Sequence, residues 1–262
     1  MRVLFLKNDK KSSSAKFDGL SEDYDKYRPR YPDSLVQVIC NSVSGKKKLS
    51  VVDAGSGTGI FLEKLISFMG LDNEYTAIEL SNDMINIGRS KFPFVNWVEG
   101  KAESLLHDIN EINLIVFAQS FQWMDRDKVL SILSEKMNKG DVIAIIQNNR
   151  NFHESVFLDE YESLLEKYSP NYSRYYRSFN FYKDFENSFK NCCLSFHKED
   201  WNNKVKVEDF IGMSKSSTQV KRAIDSVGDV FIKELKNLLT ERQIDGFIDI
   251  LYKSELYLCI KN

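Results

Sequence analysis

The sequence predicts a doubly wound α/β fold: a mostly parallel sheet of seven strands with helices on both faces. Short apolar runs rich in β-branched and aromatic residues recur at 49–52, 75–78, 94–98, 114–118 and 142–146. Stretches with helical spacing lie between several of them. The runs are nearly continuous in apolar residues rather than alternating, as expected of strands buried on both faces.

Taken in order, residues 1–16 carry three consecutive serines among charges and read as a mobile amino-terminal arm, with 17–262 as one domain. The run 49–52 leads into Asp53 and then Gly55-Ser56-Gly57-Thr58-Gly59, where glycines at every second position let bare backbone approach a ligand. A dinucleotide fingerprint needs a glycine at position 60, which is Ile60, so the loop suits a nucleoside without a pyrophosphate, an S-adenosyl compound above all. Leu62, Leu65, Ile66 and Met69 then mark a helix that stops near Gly70. The second strand ends at Glu79, twenty residues beyond Gly59, where a carboxylate can accept both hydroxyls of a ribose.

Ser81 and Asp125 are candidate caps for two further helices, the second using Val129, Ile132, Leu133 and Met137 and stopping at Gly140. Ligands of such sheets sit at the carboxyl ends of the strands, which gathers 55–59, Glu79, the 100–103 turn and the 119–123 turn on one rim. After Arg150 the rhythm breaks. A helical pattern over Phe157–Tyr168 precedes Pro170, and Tyr172, Tyr175, Tyr176, Phe179, Phe181, Tyr182, Phe185 and Phe189 follow densely. Residues 151–190 are therefore expected to form an aromatic-rich cap over the substrate side, before strands near 194–197 and 256–260 complete the sheet.

Composition narrows the classes of partner. With 36 Lys+Arg against 38 Asp+Glu, the charge offers no electrostatic reason for nucleic acid or an anionic membrane as the main partner. Cys40, Cys192, Cys193 and Cys259 lack metal-binding spacing, so no metal is expected and a reduced, cytoplasmic setting is favoured. The apolar start, Met1 to Leu6, meets Lys7, Asp9 and Lys10 too soon for a signal peptide or a membrane span.

Four ordered segments carry a family resemblance: Tyr24-Asp25-Lys26-Tyr27-Arg28-Pro29-Arg30-Tyr31-Pro32, Asp53 to Gly59, Gly100-Lys101-Ala102-Glu103, and Ala118-Gln119-Ser120-Phe121-Gln122-Trp123. With them the chain resembles class I S-adenosylmethionine-dependent methyltransferases, and within these the small-molecule, trans-aconitate methyltransferase-like (methyltransferase type 11) branch. The resemblance covers 17–148, with a looser echo near 210–217 and in the last strand. It implies a Rossmann-like sheet and S-adenosyl-L-methionine as cofactor. Gly55, Ser56 and Gly57, with Asp53 and Gly59 around them, would line the methionine and ribose portion, and Glu79 would hold the ribose. Leu80 and Met84 would cover the adenine, and Lys101, Ala102 and Glu103 would form its edge. Gln119 would face the methionine end while Tyr27 and Arg28 close over the cofactor. Lys101 departs from the family's small polar residue, and Gln122 stands where His is common.

The implied activity is methyl transfer to O or N of a small molecule by in-line displacement, through proximity and desolvation. No catalytic group is identified. His153 is the candidate base, and Trp123, His153, Tyr175 and Tyr176 are candidates for the acceptor pocket. The alternatives are a non-catalytic S-adenosylmethionine-binding partner, or an RNA methyltransferase using the aromatic run with Arg174 and Arg177 to stack bases.

Overall fold

Residues 21–262 are described by the computed structural model. In chain order they form α1 (Ser21–Tyr27), α2 (Asp33–Ser42), β1 (Ser50–Ala54), α3 (Ile60–Met69), β2 (Glu74–Glu79), α4 (Asn82–Lys91), β3 (Asn96–Glu99), α5 (Ala102–Leu105), β4 (Leu114–Ala118), α6 (Arg126–Lys136) and β5 (Val142–Arg150). Then come α7 (Val156–Tyr168), α8 (Phe181–Ser188), β6 (Cys192–Lys206), α9 (Val207–Lys215), α10 (Thr218–Val227), α11 (Asp229–Arg242) and β7 (Phe247–Lys261). The expected arm, 1–16, lies outside the described residues.

The strands assemble in the order β3-β2-β1-β4-β5-β7-β6. β1 to β5 pair in parallel, and β7 runs antiparallel between β5 and β6. Side chains alternate across the pleat, so Val51, Leu114, Val116, Val142 and Ala144 pack under α2 and α3, while Val52, Ile115, Phe117, Ile143 and Ile145 pack against α6 and α8. Each Val, Leu, Ile or Phe among them, removed from water, contributes about 1.5–3 kcal/mol. The predicted sheet is thus present, with the chain reversing strand order between β1 and β4, where ligands of open α/β sheets bind.

The helix signals hold where the local chemistry is strong. Ser81 and Asp125 accept the Met84 and Lys128 N–H groups as caps, and Gly70 ends α3 at φ 78°. α6 stops at Lys136, short of Gly140, which turns instead at φ 82°.

The two last strands are far longer than 194–197 and 256–260, pairing from Cys192↔Lys261 to Lys206↔Phe247. Their burial alternates residue by residue, so no continuous apolar run marks their outer halves. Helices α9, α10 and α11 are inserted between them and pack with α7 on Ile248, Ile250 and Tyr252 as a third core. Residues 151–190 accordingly divide between two places. α7 belongs to this outer helical layer, whereas α8 puts Phe181 and Phe185 into the sheet core beside α6. The roof over the strand ends is therefore built largely from 207–242, a segment the aromatic run did not advertise.

Candidate functional site

The loop after β1 takes its shape from three glycines with positive φ, at 72°, 56° and 80° for Gly55, Gly57 and Gly59. At Gly55 a side chain is also excluded by space, since a Cβ would lie 2.5 Å from the Ser120 Cβ. The loop's own donors are already used. The Gly55 and Ser56 N–H groups donate to the Ile78 carbonyl at 2.8 and 3.1 Å, and the Gly57 N–H donates to Glu79 Oε2 at 2.9 Å. No nest of free N–H groups remains for a pyrophosphate, which agrees with the reading of Ile60. Glu79 Oε1 accepts from Leu80 and Ser81 N–H at 2.8 and 3.0 Å, so its carboxylate is held rigidly at the rim.

The amino-terminal segment is pinned to this loop by contacts the sequence did not signal. Thr58 Oγ1 and Lys91 Nζ both donate to Asp25 Oδ1 at 2.6 Å, and Lys91 also reaches the Thr58 carbonyl. Arg28 and Tyr31 thereby come to the wall of a cavity that Gly55, Ser56, Gln119 and Trp123 also line. Tyr27 goes elsewhere. Its ring lies against α9, where a Cβ on Gly212 would sit 2.4 Å away, so its expected place over the cofactor is corrected to a packing pin.

The other expected positions spread along the rim. Met84 and Ala102 are buried, Leu80 is half-buried, and Lys101 is exposed. Glu103 Oε1 accepts the Asp125 N–H at 2.7 Å, so it ties α5 to the start of α6. Gln119 adopts φ 57°, a costly conformation for a side-chain-bearing residue, held by its N–H on the Ile146 carbonyl at 2.9 Å and its Nε2 on the Asn148 carbonyl at 2.7 Å.

On the acceptor side, Trp123 lines the cavity mouth with 53% of its surface exposed and its ring 6.3 Å from that of Tyr176. His153, Tyr175 and Tyr176 are not among the residues lining the cavity. The His153 ring is exposed and leans on Phe152 at 4.3 Å, with Tyr175 6.4 Å away, so the structure gives His153 no access to the cavity as a base. Among the described residues no His, Asp or Glu lines the cavity, and burial raises the phenols of Tyr31, Tyr161 and Tyr252, which keeps them protonated at neutral pH.

Asn148 and Arg150 are among the wall residues that sequence reasoning did not assign, as are Tyr161, Tyr252 and the residues of α9 and α10, and it placed Arg177 only in the base-stacking alternative. Arg150 Nε donates to Glu162 at 2.6 Å, and the Tyr172 hydroxyl donates to the same carboxylate. Position at the end of an apolar strand was the available signal for Asn148 and Arg150.

The site leaves polar atoms unmet that an S-adenosyl ligand could satisfy. Both carboxylate oxygens of Asp53, fully buried beneath the loop, lack a hydrogen-bond partner, and so does Gln119 Oε1. Burial, with Glu79 adding to it, pushes the Asp53 carboxyl up to about 8. Buried acceptors without donors are costly, and an ammonium group supplies donors together with the charge that would favour ionised Asp53. A Cβ on Gly57 would meet nothing nearer than the Tyr24 ring at 3.7 Å, so the loop is open to a close ligand. The residues fit the group.

The β1–β4 crevice, the glycine loop and the acidic end of β2 make a Rossmann-like site of the kind that class I S-adenosylmethionine-dependent methyltransferases use, and they point to S-adenosylmethionine as cofactor. Residues 51–139 match the family described as "Methyltransferase domain". An uncharacterized methyltransferase-like protein of Schizosaccharomyces pombe is 24% identical over 128 residues, 49% of each chain. The ubiquinone/menaquinone biosynthesis C-methyltransferase UbiE of Psychromonas ingrahamii is 26% identical over 133 residues, 47% of this chain and 52% of its own. The chain thus spans about half the length of these curated relatives. A provisionally assigned type II methyltransferase of Anaeromyxobacter dehalogenans shares the fold with TM-score 0.64 and 18% identity, covering 90% of this chain and 98% of that one. The plantazolicin methyltransferase BpumL, solved with SAH, gives 0.53 and 17%, covering 95% and 93%.

Proposed function

We propose that this protein transfers a methyl group from S-adenosylmethionine to an oxygen or nitrogen of a small molecule. One observation carries the reading: the open glycine loop and the Glu79 carboxylate form a continuous rim, bonded to each other through Gly57, above the buried and unpartnered Asp53. In this reading Glu79 accepts the ribose hydroxyls, Leu80, Met84 and Ala102 enclose the adenine, and Gly55, Ser56 and Gln119 border the methionine portion. Asp53 attracts the ammonium through the floor of the loop, and Arg28 takes the methionine carboxylate. The cofactor supplies an electrophilic methyl. The chain's own part is to hold an acceptor atom in line at about 3–3.5 Å and to exclude water. With no His, Asp or Glu on the wall among the described residues, an acceptor that needs no strong base from the protein is favoured.

The small-molecule reading draws on the roofed cavity, whose walls come from α1, the β-strand ends, α9 and α10. Among the described residues no helix is long and apolar enough to cross a membrane, and a cytoplasmic setting remains part of the proposal.

The test combines binding and turnover. Labelled methyl from S-adenosylmethionine is expected to enter small molecules of a metabolite extract. Glu79→Ala is expected to weaken S-adenosylhomocysteine binding about tenfold to a hundredfold, from about 1.5–3 kcal/mol per sheltered charge-assisted bond. Equal affinity in wild type and variant would remove the ribose assignment. Binding without any transfer would make the protein a cofactor-binding module.

A further inference from the structure

We infer that the outer edge of β6 pairs with the same edge of a second copy of this chain, antiparallel about a two-fold axis at Asn203. The inference reaches beyond the methyltransferase reading and does not depend on it. β6 ends the sheet, so among the described residues it has a strand partner, β7, on one side alone. Its register runs unbroken from Cys192↔Lys261 to Lys206↔Phe247, and the strand contains no proline, no glycine and no bulge. An edge of that length and regularity is a template for another strand.

Which backbone groups face outward follows from the bonds at the two ends of the strand. The Asn262 N–H donates to the Asn191 carbonyl at 3.2 Å and the Val207 N–H to the Gly246 carbonyl at 3.1 Å, both in the register of the ladder. Hydrogen-bonded pairs alternate along an antiparallel ladder, so the odd-numbered residues of β6 bond to β7. The even-numbered ones, from Cys192 to Lys206, turn their N–H and C=O groups outward. A second copy can bond to them only where even residues meet even residues, which centres the two-fold on a residue and not between residues.

Charge then selects the centre. In the outer half of the strand, 199–206, every centre except Asn203 sets like charges opposite each other: Glu199, Asp200, Lys204 and Lys206 would each face themselves, and centres at 201, 202 and 205 would oppose Lys198 to Lys204, Lys198 to Lys206 and Lys204 to Lys206. Asn203 instead places Asp200 opposite Lys206 and Asn202 opposite Lys204, twice over by symmetry. Asp200 is open to this, since its ion pair with Lys198 stands at 4.0 Å. On the other face Trp201, held flat on the Tyr252 ring 4.8 Å away, meets the partner's Val205. Trp201 and Val205 both line a groove of about 680 Å³ between β6 and the 26–33 segment, so the pairing extends that apolar wall across the axis.

Sedimentation of the full chain at micromolar concentrations tests this, and wild type is expected to be a dimer. Asn202→Pro removes an outward N–H and leaves the bonds to β7 in place, so it should give a monomer whose circular dichroism matches wild type. Asp200→Lys puts like charges opposite each other at two symmetric places and should raise the dimer Kd about tenfold or more, while the exchange Asp200→Lys/Lys206→Asp should restore it. Asn203→Cys checks the register. Residues facing each other in a pair without hydrogen bonds have Cα atoms about 4.5 Å apart, so mild oxidation should link two chains through position 203, as read by peptide mass. A wild type that stays monomeric at every concentration overturns the inference. So does a dimer that survives both Asn202→Pro and Asp200→Lys, or one whose Asn203→Cys chains fail to link. Should Asn202→Pro unfold, the charge exchange and the cross-link decide alone. None of these outcomes touches the cofactor reading, which stands or falls on S-adenosylhomocysteine binding.

Discussion

Asp53 holds an ionisable group where water does not reach, and its stability effect has an unusual sign for a carboxylate. Burial first, and the nearby Glu79 second, raise it to about 8, against about 3.9 in an unfolded chain. Between those values the native state binds the proton that the unfolded state has released. Stability is therefore complete below about pH 4 and declines as pH rises toward 8, by up to about 1.4 kcal/mol per pH unit from this group. The ligand-free protein is expected to melt progressively lower from pH 5 to 8, and Asp53→Asn to flatten that slope. A slope unchanged by the substitution would show that Asp53 is ionised in the native protein. Gly55 illustrates the steric side of the same loop: with φ 72° and Ser120 so close, Gly55→Ala combines backbone strain with a clash, each costing about 1–3 kcal/mol.

At the scale of elements, the join between β5 and α7 depends on a charge pair. The Glu162 side chain is 3% exposed and that of Arg150 is 24%, and burial alone would disfavour the arginine's charge were Glu162 not beside it. Breaking such a pair leaves a buried charge without compensation. Glu162→Leu is expected to destabilise by about 3–5 kcal/mol in denaturant unfolding, and the double variant Arg150→Met/Glu162→Leu to recover a good part of that. A single-variant cost under about 1 kcal/mol would mean that water reaches Arg150. α10 and α11 have no comparable ionic tie to the sheet; they are held through Val220, Ala223, Phe231, Leu235 and Leu239 against α7 and β7.

Across the whole molecule, the sheet and the helical roof meet at the cavity, so a ligand that touches both stabilises both. S-adenosylhomocysteine at about a hundred times its dissociation constant should add about 2.7 kcal/mol to the native state. For a domain of this size that corresponds to a rise in Tm of about 5–10 °C. Wild-type protein showing no shift under saturating ligand would contradict a preformed site. The long β6–β7 pair matters here, because it carries the roof's inner wall from Tyr252, opposite the last residue of β5, on to Ile250 and Ile248 beyond it.

Local chemistry determined much of this protein in the sequence itself. Apolar runs such as 114–118 and 142–146 are long enough to require burial on both faces, and the glycines after Asp53 are explained by backbone conformations that a side chain disfavours. The cofactor half of the rim was legible for that reason. Tertiary structure decided the acceptor half. Asn148 and Arg150 on β5 and Arg177 far along the chain are brought together from two separate stretches, and nothing in the spacing of either indicates a common wall. It also moved Tyr27 into a packing contact and left His153 on the surface, since which side of a segment faces the cavity depends on what packs behind it. The helical spacing of Phe231, Leu235, Leu238 and Leu239 in α11 is legible in the sequence, but the place of 207–242 as the roof is not, for the same reason. The alternating outer halves of β6 and β7 lack a continuous apolar signal, and their pairing is fixed only when strands forty residues apart find each other.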